Sequence, residues 1–164
     1  QAAVRAFAGD TASPAEVCRK VNVLLHENVA VGKFVTFVYG VLDSQERTFR
    51  YSNAGHPHPI VFSAAVARVL DGSGAVLGVF PAWDYVDAAI GLEKGDRLLL
   101  FTDGITEAED TSGREFGEAG VAEFVLANCA LTAKELNSRL LDRVSTYCDA
   151  QFRDDATVLV IAAL

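Results

Sequence analysis

The spacing of apolar residues changes from a helical to an extended pattern within the first third of the chain. Residues 13–29 (SPAEVCRKVNVLLHENV) repeat apolar side chains every three to four positions, and Ser13 with Glu16 has the spacing of a helix capping box. Residues 34–43 and 47–55 are instead rich in β-branched and aromatic residues, with the turn-forming DSQE between them. These patterns predict an amphipathic helix followed by a β-hairpin.

The remainder of the chain groups short strands before helices. In chain order, the pattern predicts strands at 59–63 and 66–70, a loop at DGSG, the apolar segments AVLGVF and YVDAAIGL, a strand at LLLFTD, a loop at EDTSGREFG, helices at 117–128 and 132–148, and a final strand at ATVLVIAAL. Consecutive hairpins with grouped helices favour an antiparallel α+β fold over a repeated β-α-β unit. Without repeats or linkers, residues 1–164 are expected to form a single domain.

Composition excludes several classes of protein. Hydrophobic residues make up 51% and charged residues 22%, which is typical of a globular domain. The net charge is −8, with 22 acidic and 14 basic residues, and the basic ones form no cluster that would favour nucleic acid. No apolar run approaches the roughly 18 residues of a membrane span, and no signal peptide is visible, so we expect a cytoplasmic protein that binds no membrane. Cys18, Cys129 and Cys148 lack C-x-x-C spacing, which predicts reduced thiols.

Two acidic sites lie at predicted strand boundaries. Asp103 ends the strand LLLFTD, and Asp154 with Asp155 precedes the final strand. If these strands are antiparallel neighbours, the carboxylates meet at one edge of the sheet and fit a hard cation such as Mg²⁺ or Mn²⁺; alternatively, each Asp only caps a turn. Gly104 allows a sharp backbone turn. Glu107 is either a further ligand, an acceptor behind the ligands, or a solvated residue.

Other motifs provide rival interpretations. A haloacid-dehalogenase phosphatase carries D-x-D-G-T after an apolar strand, but here Phe101 occupies the nucleophile position, and a shifted register puts Ile105 at the acid/base position. That mechanism is therefore excluded. His56 and His58 in AGHPHP form either an H-x-H metal pair or a structural turn, and Pro57 with the lack of an adjacent third ligand favours the turn.

Several motifs occur together in one order: FVTFVYGVLD, YSNAGHPHPIV, LGV, LEKGDRLLLFTDGITEA, EFG and DDATVLVI. This combination resembles the SpoIIE-like branch of the metal-dependent PPM protein serine/threonine phosphatases, which includes the RsbU-like phosphatases, and it covers nearly the whole chain. The resemblance implies an α-β-β-α sandwich of two mainly antiparallel sheets flanked by helices. It also implies two Mn²⁺ or Mg²⁺ ions that activate a water molecule for attack on phosphoserine or phosphothreonine.

The resemblance also implies roles for individual residues. On this match Asp103 and Asp154 are expected to bind metal, with Asp155 as support. Gly104 and Glu107 are further candidates for supporting residues, and the alternatives given above for Glu107 stay open. His56 lies in a matching segment and is expected near the site, without an assigned chemical role. The expected partner is a phosphorylated regulatory protein of the anti-sigma-factor antagonist type, with a fused sensor or receiver domain and dimerisation as further expectations.

The chain departs from the family pattern at its start. The other metal-binding acids of the family lie in a G-D-x-x-x-D-like strand and a D-x-S-G-H-G loop, and neither motif is present. The chain begins with QAAVRAFAG, without Met, so we expect an N-terminally truncated domain that corresponds to about the C-terminal two-thirds to three-quarters of the family fold. A catalytically inactive PPM-like regulatory or interaction domain is the alternative function.

Overall fold

The computed structural model describes residues 1–9, 13–30, 32–64 and 66–164. In this part of the chain the helices are α1 (Ala2–Phe7), α2 (Pro14–Asn28), α3 (Asp103–Thr106), α4 (Gly117–Ala127) and α5 (Ala133–Tyr147). The strands are β1 (Phe37–Asp43), β2 (Thr48–Ala54), β3 (Ile60–Phe62), β4 (Ala67–Val69), β5 (Ser73–Gly74), β6 (Ala88–Gly91), β7 (Arg97–Phe101) and β8 (Val158–Ala162). They divide into a first unit of residues 1–56 and 71–92 and a second unit of residues 57–70 and 93–164.

The first unit contains a sheet centred on β2. Strand β1 pairs with β2 in antiparallel register, which confirms the predicted hairpin, and β6 pairs antiparallel along the other edge of β2. The predicted DGSG loop is wrong in part, because Ser73 and Gly74 form β5 and pair in parallel with the end of β2. A side chain at Gly74 would lie 2.8 Å from the Tyr85 ring and 3.0 Å from the Asn53 carbonyl oxygen, so this strand requires glycine to approach β2.

Helix α2 packs on β1 and β2 and completes the core of the first unit. Ser13 caps its N-terminus by accepting a hydrogen bond from the Glu16 backbone N–H at 3.2 Å. The predicted reciprocal half of the capping box is replaced by an ion pair, since the Glu16 carboxylate lies 2.8 Å from Lys20 Nζ. The backbone N–H of Ala15 instead donates to the distant Asp87 carboxylate at 2.6 Å, so the helix start is fixed partly by tertiary structure.

The second unit contains an antiparallel sheet with the strand order β4-β3-β7-β8. Helices α4 and α5 pack on this sheet and follow the predicted ranges within about one residue. Thr132 and Glu135 form a reciprocal capping box at the start of α5. The fully buried core includes side chains from the sheet and both helices: Ile60, Leu99, Val121, Val125, Leu136, Leu140 and Val144. The predicted α+β class, with two mainly antiparallel sheets and helices, is confirmed.

Two further predictions concern cysteines and membranes. All three cysteines are free thiols, and burial raises the pKa of the Cys18 thiol to about 11, which makes it unreactive. Among the described residues, no helix has the length and apolar character required to cross a bilayer.

The core of the second unit predicts a large cost for shortening Leu140. We expect Leu140→Ala to lower the free energy of unfolding by about 2–5 kcal/mol, because it leaves a cavity where the side chain is fully buried. Leu126→Ala is the matched control, since Leu126 on α4 is 38% exposed, and its effect should stay within about 0.5 kcal/mol. Urea unfolding of both variants measures the difference, and equal costs would contradict this core assignment.

Candidate metal centre

The pairing of β7 with β8 brings the two acidic segments side by side. The strand register ends at Phe101 opposite Val158, and three hydrogen bonds extend the contact beyond the strands. The Thr102 N–H donates to the Thr157 carbonyl at 3.1 Å, and the Thr157 N–H donates to Thr102 Oγ1 at 2.9 Å. Thr102 Oγ1 in turn donates to the Asp155 carbonyl at 2.7 Å. The condition stated in the sequence analysis, that the two strands are antiparallel neighbours, is therefore met.

Asp103 is the first residue of the short helix α3, and not the last residue of a strand as predicted. The helix turn forms because the following Ile105 is fully buried in the core, which draws the backbone inward directly after β7. The Asp103 carbonyl accepts the Glu107 N–H at 2.7 Å, which closes this turn. The Asp103 side chain is half-buried, and its Oδ1 accepts the Gly104 N–H at 2.9 Å.

Gly104 is required for a close backbone contact. A Cβ at this position would lie 2.7 Å from the Asp155 carbonyl oxygen and 2.9 Å from that of Asp154. The prediction that a Cβ would obstruct the backbone here is therefore confirmed, although the φ of Gly104 lies outside the left-handed region and the obstruction comes from a neighbouring segment. The glycine lets the α3 backbone touch the segment that carries the two other acids.

The acids provide oxygen donors of the kind that Mg²⁺ and Mn²⁺ prefer. The Asp154 and Asp155 side chains are exposed, and Asp154 Oδ1 accepts the Asp155 N–H at 2.7 Å. Glu107 is exposed at the end of α3. Within the described ranges, no three His, Cys, Asp or Glu side chains converge as a metal site. The residues therefore fit a partial ligand set of one or two carboxylates completed by water, which is common for Mg²⁺.

His56 belongs to a hydrogen-bonded turn in the first unit. The side chain of Asn53, which is 1% exposed, accepts the His56 N–H at 2.8 Å and donates to the His56 carbonyl at 2.9 Å. The imidazole Nδ1 lies 3.1 Å from Thr36 Oγ1. In the second unit, His58 Nδ1 lies 3.3 Å from a carboxylate oxygen of Glu118. These contacts favour the turn over the H-x-H metal pair, and the location of His56 near the site stays a prediction.

The loop after α3 contains interactions that the sequence analysis missed. The Asp110 carboxylate accepts hydrogen bonds from the backbone and side chains of Ser112 and Arg114, which hold the pKa of this carboxyl well below its usual range, with the Ser112 hydroxyl as the largest contributor. Glu109 forms an ion pair with Arg153. The spacing of Asp110 and Ser112 is typical of an Asx-type loop and indicates the first interaction, but no local signal indicates the second.

Comparisons with known proteins identify relatives of this chain. A sequence model of the family described as stage II sporulation protein E (SpoIIE) matches residues 1–163. The phosphoserine phosphatase RsbU of Bacillus subtilis (strain 168) is 28% identical over 150 residues, which cover 90% of this chain and 44% of that protein. The chain spans less than half the length of the curated relatives it matches.

Solved structures show the same fold. The SiaA-PP2C domain of Pseudomonas aeruginosa matches with a TM-score of 0.86 and 19% identity over 98% of this chain and 66% of that chain. The RsbU and RsbW domains of Rv1364c from Mycobacterium tuberculosis match with a TM-score of 0.73 and 29% identity over 97% of this chain and 44% of that chain. The fold is therefore of the PP2C phosphatase type.

The contact at Gly104 predicts the effect of adding one methyl group. We expect Gly104→Ala to lower the free energy of unfolding by about 1–3 kcal/mol, because the backbone of Asp154 and Asp155 must move away. Helix propensity acts in the opposite direction, since alanine is favoured over glycine by up to about 1 kcal/mol. Gly91→Ala is the matched control because a Cβ there meets no atom within 4 Å. Equal stability of both variants in urea would contradict the contact.

The Asp110 loop predicts a dependence of stability on pH. Because the folded-state pKa of Asp110 lies below its ordinary value of 3.8, the stabilisation is present above that pH and is lost as the pH falls through the folded-state pKa. We expect Asp110→Asn to lower the melting temperature at pH 7 and to flatten its dependence on pH in the acid range. Ser112→Ala should change the profile in the same direction by a smaller amount. An unchanged profile in Asp110→Asn would refute the assignment.

Proposed function

The chain belongs to the stage II sporulation protein E (SpoIIE) family, and on this premise we propose that it acts as a metal-dependent protein serine/threonine phosphatase. The observation that carries this proposal is the contact between α3 and the Asp154–Asp155 segment beside the paired strands β7 and β8. The contact supports a shared role for Asp103 and Asp154, which lie far apart in the sequence. The name of the relative RsbU, a phosphoserine phosphatase, supports the same activity.

Asp103 and Asp154 are the proposed ligands of Mn²⁺ or Mg²⁺. Such a cation, when bound, lowers the pKa of a water ligand and offsets the negative charge of a phosphate group. The chain itself orients the ligands, since each carboxylate accepts one backbone N–H, from Gly104 in one case and from Asp155 in the other. One such bond leaves further lone pairs of each carboxylate available for a cation.

The Thr102 hydroxyl is proposed to hold together the two segments that carry the ligands. It accepts from Thr157 and donates to Asp155, so it joins the end of β7 to the segment before β8. Because Asp103 begins the short helix α3 and Asp154 lies in an irregular segment, this link limits how far they separate when a cation or a phosphate is absent. Glu107 and His56 remain candidate supporting residues.

The proposed substrate is a phosphoserine or phosphothreonine of a regulatory protein of the anti-sigma-factor antagonist type. The support is the combination of RsbU and RsbW domains in the structurally similar Rv1364c, together with the similarity to RsbU. We also propose that residues 1–164 belong to one phosphatase domain, since a single family model spans 1–163. A cytoplasmic location, a fused sensor or receiver domain and dimerisation stay predictions.

A second candidate function is a PPM-like regulatory domain without catalysis. The observation that favours it is the lack of three converging metal-binding side chains within the described residues. This alternative and the phosphatase differ in one measurement, which is hydrolysis of a phosphoserine protein in the presence of Mn²⁺.

The proposed ligands predict a loss of activity upon removal of either charge. In the protein with its complete natural sequence, we expect Asp103→Asn and Asp154→Asn each to reduce Mn²⁺-dependent phosphoserine hydrolysis by about 100-fold or more, because an amide binds a hard cation less well than a carboxylate. Release of inorganic phosphate from a phosphoserine peptide provides the measurement.

Glu123→Gln is the control, because it removes an equal charge from the exposed surface of α4 and should keep wild-type activity. Full activity of Asp103→Asn would disprove the ligand assignment. An inactive wild-type protein at saturating Mn²⁺ would support the regulatory domain.

A further inference from the structure

An ion pair joins the two segments that carry the proposed metal ligands. Arg153 directly precedes Asp154, and its guanidinium pairs with the carboxylate of Glu109, which lies two residues after Glu107 in the segment that continues from α3. We propose that Arg153 is a positioning residue, which acts through Glu109 to hold the Asp154 segment at the separation from Asp103 that a shared cation requires. This inference rests on the phosphatase function proposed above.

The Glu109 side of the pair is a rigid support. Ala108 is 2% exposed in the core, and its carbonyl accepts the Phe116 N–H at 2.8 Å. Between these residues the backbones of Glu109 and Glu115 form an isolated antiparallel β-bridge. The Asp110 carboxylate accepts several hydrogen bonds from Ser112 and Arg114 within the loop. A loop that is closed at its base and bonded internally gives Glu109 a defined position.

The Arg153 side lacks regular secondary structure. The segment between α5 and β8 includes Asp149 and Ala150, which are non-glycine residues with φ values of 48° and 57° in the left-handed region. The Ala150 N–H donates to the Ser145 carbonyl in α5, the Gln151 N–H donates to the Cys148 carbonyl, and the Thr102 contacts begin at Asp155. Asp154 thus lies between two hydrogen-bonded stretches, and the preceding residue, Arg153, contacts Glu109 through its side chain.

The solvent exposure of the Arg153–Glu109 pair favours a positioning role over a contribution to stability. The Arg153 side chain is 69% exposed and that of Glu109 is 23% exposed. Exposed ion pairs contribute little to the free energy of unfolding, because water screens them and ordering two long side chains costs entropy. A ligand segment that moves by a fraction of an ångström, in contrast, weakens metal binding strongly. Loss of the pair should therefore affect metal affinity much more than stability.

The charge of Arg153 also distinguishes a positioning role from a purely electrostatic one, because the two predict opposite changes in cation affinity. Removing the positive charge of Arg153 next to a cation site should tighten cation binding if only long-range electrostatics acts. A positioning role predicts that the same change weakens binding. The direction of the effect in Arg153→Ala therefore distinguishes the two explanations.

The test measures the Mn²⁺ dissociation constant by isothermal titration calorimetry, with the melting temperature of each variant, in the protein with its complete natural sequence. We expect Arg153→Ala and Glu109→Gln each to weaken Mn²⁺ binding by about tenfold or more, with a change of only a few degrees in melting temperature. The swapped variant Glu109→Arg with Arg153→Glu should recover most of the affinity, because it restores the pair in reverse. Arg139→Ala, which removes an equal charge from an exposed position on α5, should bind as the wild type does.

The outcomes distinguish this inference from the function on which it rests. Wild-type binding of Mn²⁺ together with equal or tighter binding by Arg153→Ala would overturn the positioning role and leave the phosphatase proposal intact. Failure of the swapped variant to recover affinity would also overturn it. A wild-type protein that binds no Mn²⁺ and hydrolyses no phosphoserine would overturn both.

Discussion

The antiparallel pairing of β7 with β8 is the constraint on which the candidate site depends. Leu99 and Phe101 enter the core of the second unit from β7, and a shift of one residue would turn them to the opposite face of the strand, away from this core. This cost fixes the register, and the register determines which residues follow each strand at the same edge. Asp103 and Asp154 thus lie on neighbouring segments, because burial of apolar side chains elsewhere in β7 and β8 determines how the two strands pair.

The site extends this pairing by backbone contacts. The Thr102 hydroxyl continues the ladder after regular hydrogen bonding ends, and Gly104 allows α3 to touch the carbonyl groups of Asp154 and Asp155. The buried Ile105 draws the chain inward between these contacts. A carboxylate carried on such a backbone has a restricted position, which reduces the entropy lost when it binds a cation.

The electrostatic surroundings separate the proposed ligands from nearby acids. In the loop after α3, Asp110 and Glu109 are matched by Arg114 and Arg153. Asp103 and Asp154 accept backbone N–H groups instead, which orient a carboxylate without neutralising its charge. This difference is the physical reason to assign metal binding to one pair of acids and a structural role to the other, in a chain that belongs to a phosphatase family.

The sequence by itself determined the features that depend on residues a few positions apart. The β1–β2 hairpin, the capping box of Thr132 and Glu135 and the strands β7 and β8 follow from local periodicity and short polar signals, and the ordered motifs identified the family. Three features were decided by tertiary structure alone. They are the hydrogen bond from the Ala15 N–H at the start of α2 to Asp87, 72 positions away, the short strand β5, and the close backbone contact that requires glycine at position 104. Tertiary structure also decided the pair of Arg153 with Glu109, which are 44 positions apart. Local patterns cannot encode such contacts, because they arise only when packing of the core brings distant segments together.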